Sequence, residues 1–476
     1  MHNLSLPQFF GKIKLYLIST SIFFLMLIVS INLSGQENSR AFPGAMGWGG
    51  ETVGGRGGQI IKVTNLNKDG PGSLREAVDV SGATEPTIVV FEVGGVIDME
   101  GEALQVRRSN LTIAGQTAPS PGITIVDVNA VRPSGNNIII QHLMIRPGVA
   151  DKGWAPTGLY TTGGSAYNII IDHCSISWSG DENLTASGPK WGGDWNENMT
   201  SEEKLAIWRD NTSHRITFSN NIISEACGDG TAYEGDEFQK HKYGSLIHDN
   251  VTDMAIIRNL YIHNTGRNPS LKAGTSGIMA NNMIYNSAVR HITHDSNQNK
   301  WGEVLDPDEW PATEWTIMGN YGQHGLQSNL RYSRGLYHCL AWHDSHIYFH
   351  DNLNFDVEGN PYALISESSR DGEVILLDEK EMWHDSIELI AAEDVPNYIF
   401  NNAGARPWDR DPIDERIIAE AIAGYNLDHA NAGSIIIDEN DVGGLPNYEP
   451  TYREFNPDEW YLDAEHPGVE PKKWPI

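Results

Sequence analysis

Short apolar-x-apolar segments recur along the chain, separated by polar or Asn-rich turns. They include Asn110-Leu-Thr-Ile113, Gly122-Ile-Thr-Ile125, Asn137-Ile-Ile-Ile140 and Asn168-Ile-Ile-Ile171. Arg215-Ile-Thr-Phe218, Ala255-Ile-Ile257, Gly277-Ile-Met-Ala280, Thr316-Ile-Met318 and His346-Ile-Tyr-Phe349 continue the theme. A period of two over so few residues predicts short strands. Asparagines often follow them: Asn220-Asn221, Asn259, Asn281-Asn282, Asn320 and Asn352. Irregular spacing with a constant core pattern predicts an all-β chain, a parallel β-helix in which each coil stacks its Ile and Val on the next. Stacked asparagines would then satisfy the backbone at inner turns that water does not reach. A β-sandwich or propeller also carries many short strands, although sandwich hairpins would show more tight Asn-Gly or Asp-Gly turns.

Long insertions interrupt the strands. Ser179 to Asn211 is rich in Trp, Asp, Glu and Asn, and Gly228 to Tyr243 is polar and of mixed charge. In a solenoid such insertions gather on one side and build the binding face. Ile413, Ile417, Ile418 and Ile422 stand at helical spacing and predict a helix over Asp411–Ala423. No boundary for a second domain is visible. The expected body is one β-helix over 36–445, with a Pro-rich C-terminal extension, 446–476, lying back on it. Residues 1–35 read as an export signal, with Lys12 and Lys14 before an apolar stretch and Leu33-Ser34-Gly35 as the cleavage site. The alternative is an uncleaved anchor, since the stretch is long enough to span a membrane. The expected location is therefore secreted, at the periplasm, cell surface or outside, and the expected state a monomer.

Charge narrows the partners. The whole chain stands at −30, and at −32 once the two leader lysines are gone. That argues against nucleic acid. An anionic substrate would be repelled at long range, so any site for one must be locally basic or metal-filled. The three cysteines, Cys174, Cys227 and Cys339, are an odd set and no disulfide framework; Cys174, inside a strand pattern, reads as a small buried hydrophobe.

The candidate chemistry centres on Arg267-Asn-Pro-Ser-Leu-Lys272, two cations five residues apart around a proline. Such a pair at a strand edge suits an anionic group held in fixed geometry. Upstream, Asp172-His173-Cys174 follows a run of isoleucines, with Asp181-Glu182 a few residues on. Asp172 reads equally as a turn cap, His173 as a satisfied core histidine, and Asp181-Glu182 as a solvated acidic loop. Arg146-Pro147-Gly148 reads as a turn with Arg146 lining a groove. Trp154, Trp191 and Trp195 lie in polar insertions, as sugar-stacking platforms or as loop packing.

Four stretches, in this order and spacing, resemble the pectate lyases of polysaccharide lyase family 1. They are Ala41-Phe-Pro-Gly-Ala-Met-Gly-Trp-Gly-Gly50 with Gly54-Gly-Arg-Gly-Gly58 and Gly72-Ser-Leu-Arg-Glu76; Ile169-Ile-Ile-Asp-His-Cys-Ser-Ile-Ser-Trp178 with Asp181-Glu182; His241-Lys-Tyr-Gly-Ser-Leu-Ile247; and Arg267-Asn-Pro-Ser-Leu-Lys-Ala-Gly274. The resemblance, to the form secreted by bacteria, implies a single-stranded right-handed parallel β-helix that cleaves a uronate polymer by β-elimination, usually with Ca²⁺. It implies Arg267 as the catalytic residue and Lys272, in place of the usual arginine, as a substrate-carboxylate ligand. A further family lysine aligns with Tyr243, with Lys242 beside it as the substitute. For calcium it implies Asp181 and Glu182, with Asp151 as the nearest upstream acid and Thr185 where another carboxylate often stands.

A C5 proton α to a carboxylate is hard to remove, and the remedy is positive charge on that carboxylate. Ca²⁺ suits carboxylate oxygens, and Lys272 and Lys242 supply the same kind of charge. Arg267 serves either as the base, its pKa lowered by neighbouring cations, or as a clamp on the carboxylate. Two other functions compete: a β-helix glycoside hydrolase, which needs two carboxylates flanking the bond, and a non-catalytic carbohydrate-binding solenoid.

Overall fold

The computed structural model describes residues 40–150, 155–189, 195–196, 198–228, 242–296, 301–302, 305–306, 309–368 and 372–460. The proposed leader, and Asp151, Trp154 and Trp191, lie outside these residues.

The chain winds through three sheets of eleven, ten and nine strands, one strand in each per coil. One coil takes Tyr167–Asp172 in the eleven-stranded sheet, Ser175–Ser177 in the ten-stranded sheet and Leu184–Ala186 in the nine-stranded sheet. The next takes His214–Ser219, Ile222–Ser224 and Leu246–Ile247. Pairing between coils is parallel. The register stacks like on like: Ile113, Ile140, Ile171, Phe218, Ile256, Met279 and Ile317 pair in succession, and all are buried in one core. This is the parallel β-helix expected from the apolar repeats.

The asparagines do the work expected of them at the turn from the eleven- to the ten-stranded sheet. The backbone N–H of Asn221 donates to Asn259 Oδ1 at 3.0 Å, that of Asn259 to Asn282 Oδ1 at 2.9 Å, that of Asn282 to Asn320 Oδ1 at 3.0 Å, and that of Asn320 to Asn352 Oδ1 at 3.0 Å. Each side-chain amide also donates along the row and back to a strand carbonyl, as Asn259 Nδ2 does to Phe218 O at 2.9 Å. Cys174 heads the row, its N–H donating to Asn221 Oδ1 at 2.8 Å. Like Cys227 and Cys339 it is buried as a thiol.

Two segments cover two of the three outer faces. The glycine-rich stretch near the N-terminus lies on the eleven-stranded sheet, with Met46 and Trp48 packed on Ala255, Ile257, Ile278 and Ala280. A Cβ on Gly49 would sit 2.2 Å from Ile169 O, and one on Gly55 1.9 Å from Thr87 O, so only bare backbone fits there. The helices Val395–Asn402 and Pro412–Tyr425 cover the ten-stranded sheet, with Ile399, Ile417 and Ile418 on Ile222, Leu260 and Met283. Asp411 caps the second helix by accepting from Asp414 N–H at 2.9 Å. Thr451–Tyr452 adds an antiparallel strand beside Val93-Gly94. Beside the nine-stranded sheet, Trp208, Trp301 and Leu305 pack around Ala273.

Candidate active site

Arg267 sits at the upstream end of a strand in the nine-stranded sheet. Bridges pair Glu182 with Tyr243 and Tyr243 with Gly266, and further on Leu246 pairs with Ser270. Between those pairings the Arg267 strand holds one residue more than its neighbour. The extra residue makes a bulge at Arg267, whose φ is 54°, and a bulge re-aims a side chain. Gly244 accommodates it: a Cβ there would lie 2.5 Å from Asn268 Oδ1 and 2.9 Å from Arg267 O.

The guanidinium meets two groups from the preceding coils. Nη1 donates to Glu182 Oε1. The Arg267 Cζ stands 4.1 Å from the centre of the Tyr243 ring. Burial works against its charge, but Glu182 outweighs burial and holds the guanidinium pKa above its ordinary value. The side chain remains 23% exposed.

Lys272 stands just past the downstream end of the same strand, its N–H bonded to Ile247 O at 2.9 Å. Its Nζ pairs with Asp295 Oδ2 at 2.9 Å. In register, His248, Lys272 and Asp295 follow one another across three coils, so a histidine, a cation and a carboxylate stand in one row. Lys242, with φ 49°, is 7% exposed. It is close enough to the buried Cys227 to draw its thiol down, against the burial that pushes it up.

Sequence similarity bears on the chain as a whole. The chain is 30% identical over 412 residues to a probable pectate lyase C of Emericella nidulans, covering 85% of this chain and 80% of the relative. It is equally similar to the corresponding protein of Aspergillus oryzae, over 85% and 81%. The chain belongs to the pectate lyase family. It is a polysaccharide lyase. The fold agrees: the structure of jun a 1, the major cedar-pollen allergen, superposes with a TM-score of 0.51 at 16% identity, over 76% of this chain and 92% of that one. No family model matches the chain.

Within this pectate lyase family member, Arg146 is not where the sequence reading put it. It belongs to a strand of the ten-stranded sheet, Leu143–Arg146, and its side chain is wholly buried. It pairs with Asp411 and, at 3.0 Å, with Asp414 on the helix covering that sheet. Tyr448 Oη donates to Asp411 Oδ2 at 2.7 Å, and Ser175 Oγ to Asp414 Oδ2 at 2.5 Å. Arg146 is a pin between helix and solenoid rather than a substrate ligand. Asp172 and His173 are likewise separate from Arg267, at the turn between the eleven- and ten-stranded sheets. Asp172 accepts from Ser219 Oγ at 2.7 Å, Asn220 Nδ2 at 2.9 Å and His173 Nδ1 at 2.6 Å. Burial opposes its charge, and these partners overcome burial and bring the carboxyl down to about 2.

Calcium takes six to eight oxygen ligands. Among the described residues, no group of three or more His, Cys, Asp and Glu side chains is placed to hold a metal. Glu182 is engaged by Arg267, and Thr185, next along that strand, offers a buried hydroxyl in place of a carboxylate. Asp181 and Glu182 do not by themselves make a calcium cage. Tyr243 and Asp295 are the site neighbours that the sequence reading left without a role. The first had a signal in its alignment beside Leu246-Ile247; the second had none, because its place beside Lys272 is set by coil stacking.

Proposed function

We propose that the protein cleaves pectate, or a closely related 4-linked uronate polymer, by β-elimination, with Arg267 meeting the C5 proton. One observation carries the reading: Arg267 and Lys272 bracket a single strand of the nine-stranded sheet. A uronate lying there would put its carboxylate near the Lys272 ammonium. Removal of the C5 proton leaves an electron pair that forms the C4–C5 double bond as the C4–O4 bond breaks. The departing oxygen takes a proton from water. Cationic side chains offset the charge that builds on the carboxylate. Glu182 favours the charged guanidinium, so the proton-accepting form of Arg267 is scarce near neutral pH and grows as pH rises.

Were calcium to take part, Asp181 would be the side chain to hold it, and the ion would supply positive charge for the polymer's carboxylates. The leader over 1–35 makes the protein an exported enzyme in the same reading, and recovery of a chain beginning at Gln36 from the medium is the expected observation.

The assay is the ultraviolet absorbance of the unsaturated product on polygalacturonate and on methylated pectin, with and without a chelator. Arg267→Ala should lower turnover by about 10²–10⁴-fold, and the native rate should climb from pH 7 toward pH 10. Absorbance that never appears on any uronate polymer would sink the lyase reading for these substrates. A rate flat in pH would reduce Arg267 to a clamp, and a rate unmoved by chelation would remove calcium.

A further inference from the structure

We infer that Tyr243 is a positioning residue for Arg267, acting through the face of its ring; the inference rests on Arg267 being the reacting residue. The residue resemblance leads one to expect a lysine here, and a lysine would repel the guanidinium it adjoins. The structure has an aromatic ring instead, 4.1 Å from the Arg267 Cζ. A cation over a tyrosine face is attracted by the ring quadrupole, and a phenylalanine face serves nearly as well.

The surroundings make that contact directional. Tyr243 pairs on one side with Glu182 and on the other with Gly266, the residue before Arg267. The three coils therefore present a carboxylate, a ring and a bulged arginine side by side. Glu182 fixes one guanidinium nitrogen, and the ring limits where the plane of the group can lie. Gly266 sits close under Val289, where a Cβ would stand 3.0 Å from Val289 Cγ2. A long arginine side chain on a bulge has many rotamers, and misplacing a reacting group by about 1 Å can cost on the order of 10²-fold in rate.

The experiment compares Tyr243→Phe with Tyr243→Leu on polygalacturonate, with melting temperature as the check on folding and Tyr243→Met as a second ringless variant. The Phe variant should keep kcat within about threefold, while Leu and Met lower kcat by about 10–100-fold with KM moved less than about threefold. Equal losses in Phe and Leu would give the work to the hydroxyl and overturn the inference. So would an unchanged Leu variant, or a loss confined to KM. An active Arg267→Ala enzyme would instead remove the reading on which this one stands.

Discussion

Single residues in this molecule owe their roles to which outer face they reach. Arg267 and Arg146 are both arginines in strand-turn contexts, and the sequence reading gave both to the substrate. Arg267 lies beside the nine-stranded sheet with its side chain 23% exposed; Arg146 lies beneath the helix Pro412–Tyr425, bound to Asp411 and Asp414. Taking one partner from a buried ion pair leaves the other charge uncompensated, at about 3–5 kcal/mol. Arg146→Met should therefore lower the melting temperature markedly while leaving KM for the polymer unchanged. A raised KM with native stability would return Arg146 to the substrate. The misreading has a physical source. Local spacing places Arg146 at a strand end, but nothing near it announces a helix supplied some 265 residues later. Glu182 likewise takes its partner from a distant part of the chain. Its acidity suggested a metal, and coil stacking gave it an arginine.

At the scale of elements, the asparagine row and the apolar strands were the legible part. Each strand has its own period of two, and each asparagine follows its strand at a fixed place, so both signals are local. The bulge at Arg267 was illegible, because it exists only as a difference in length between two coils. The row makes a prediction of its own. Asn259 accepts from the Asn221 backbone N–H and side-chain amide, and donates to Phe218 O and Asn282 Oδ1. Asn259→Leu strips these partners in a dry turn, where each buried orphan costs about 1–3 kcal/mol. The expected loss is about 3 kcal/mol or more, read from urea unfolding. A loss below about 1 kcal/mol would mean that water reaches the turn.

Across the whole molecule, burial keeps six histidines from taking up a proton easily. Burial holds His142 down to about 3 and His324, His338 and His343 down to about 4, and pushes His291 and His294 well below the ordinary range. In the unfolded chain these rings take up protons near pH 6.5. Between about pH 6.5 and 4 the unfolded state binds more protons than the native one, so stability falls as pH falls. The melting temperature should drop steadily from pH 7 to pH 4.5. A flat or rising curve over that interval would contradict the burial of these rings. Assembly carries an order as well. Gly49 N–H is anchored by Thr217 Oγ1, 168 positions further along, and Gly47 N–H by Ser386 Oγ, 339 positions further along. The glycine-rich stretch thus completes its set of partners only once residue 386 has been synthesised.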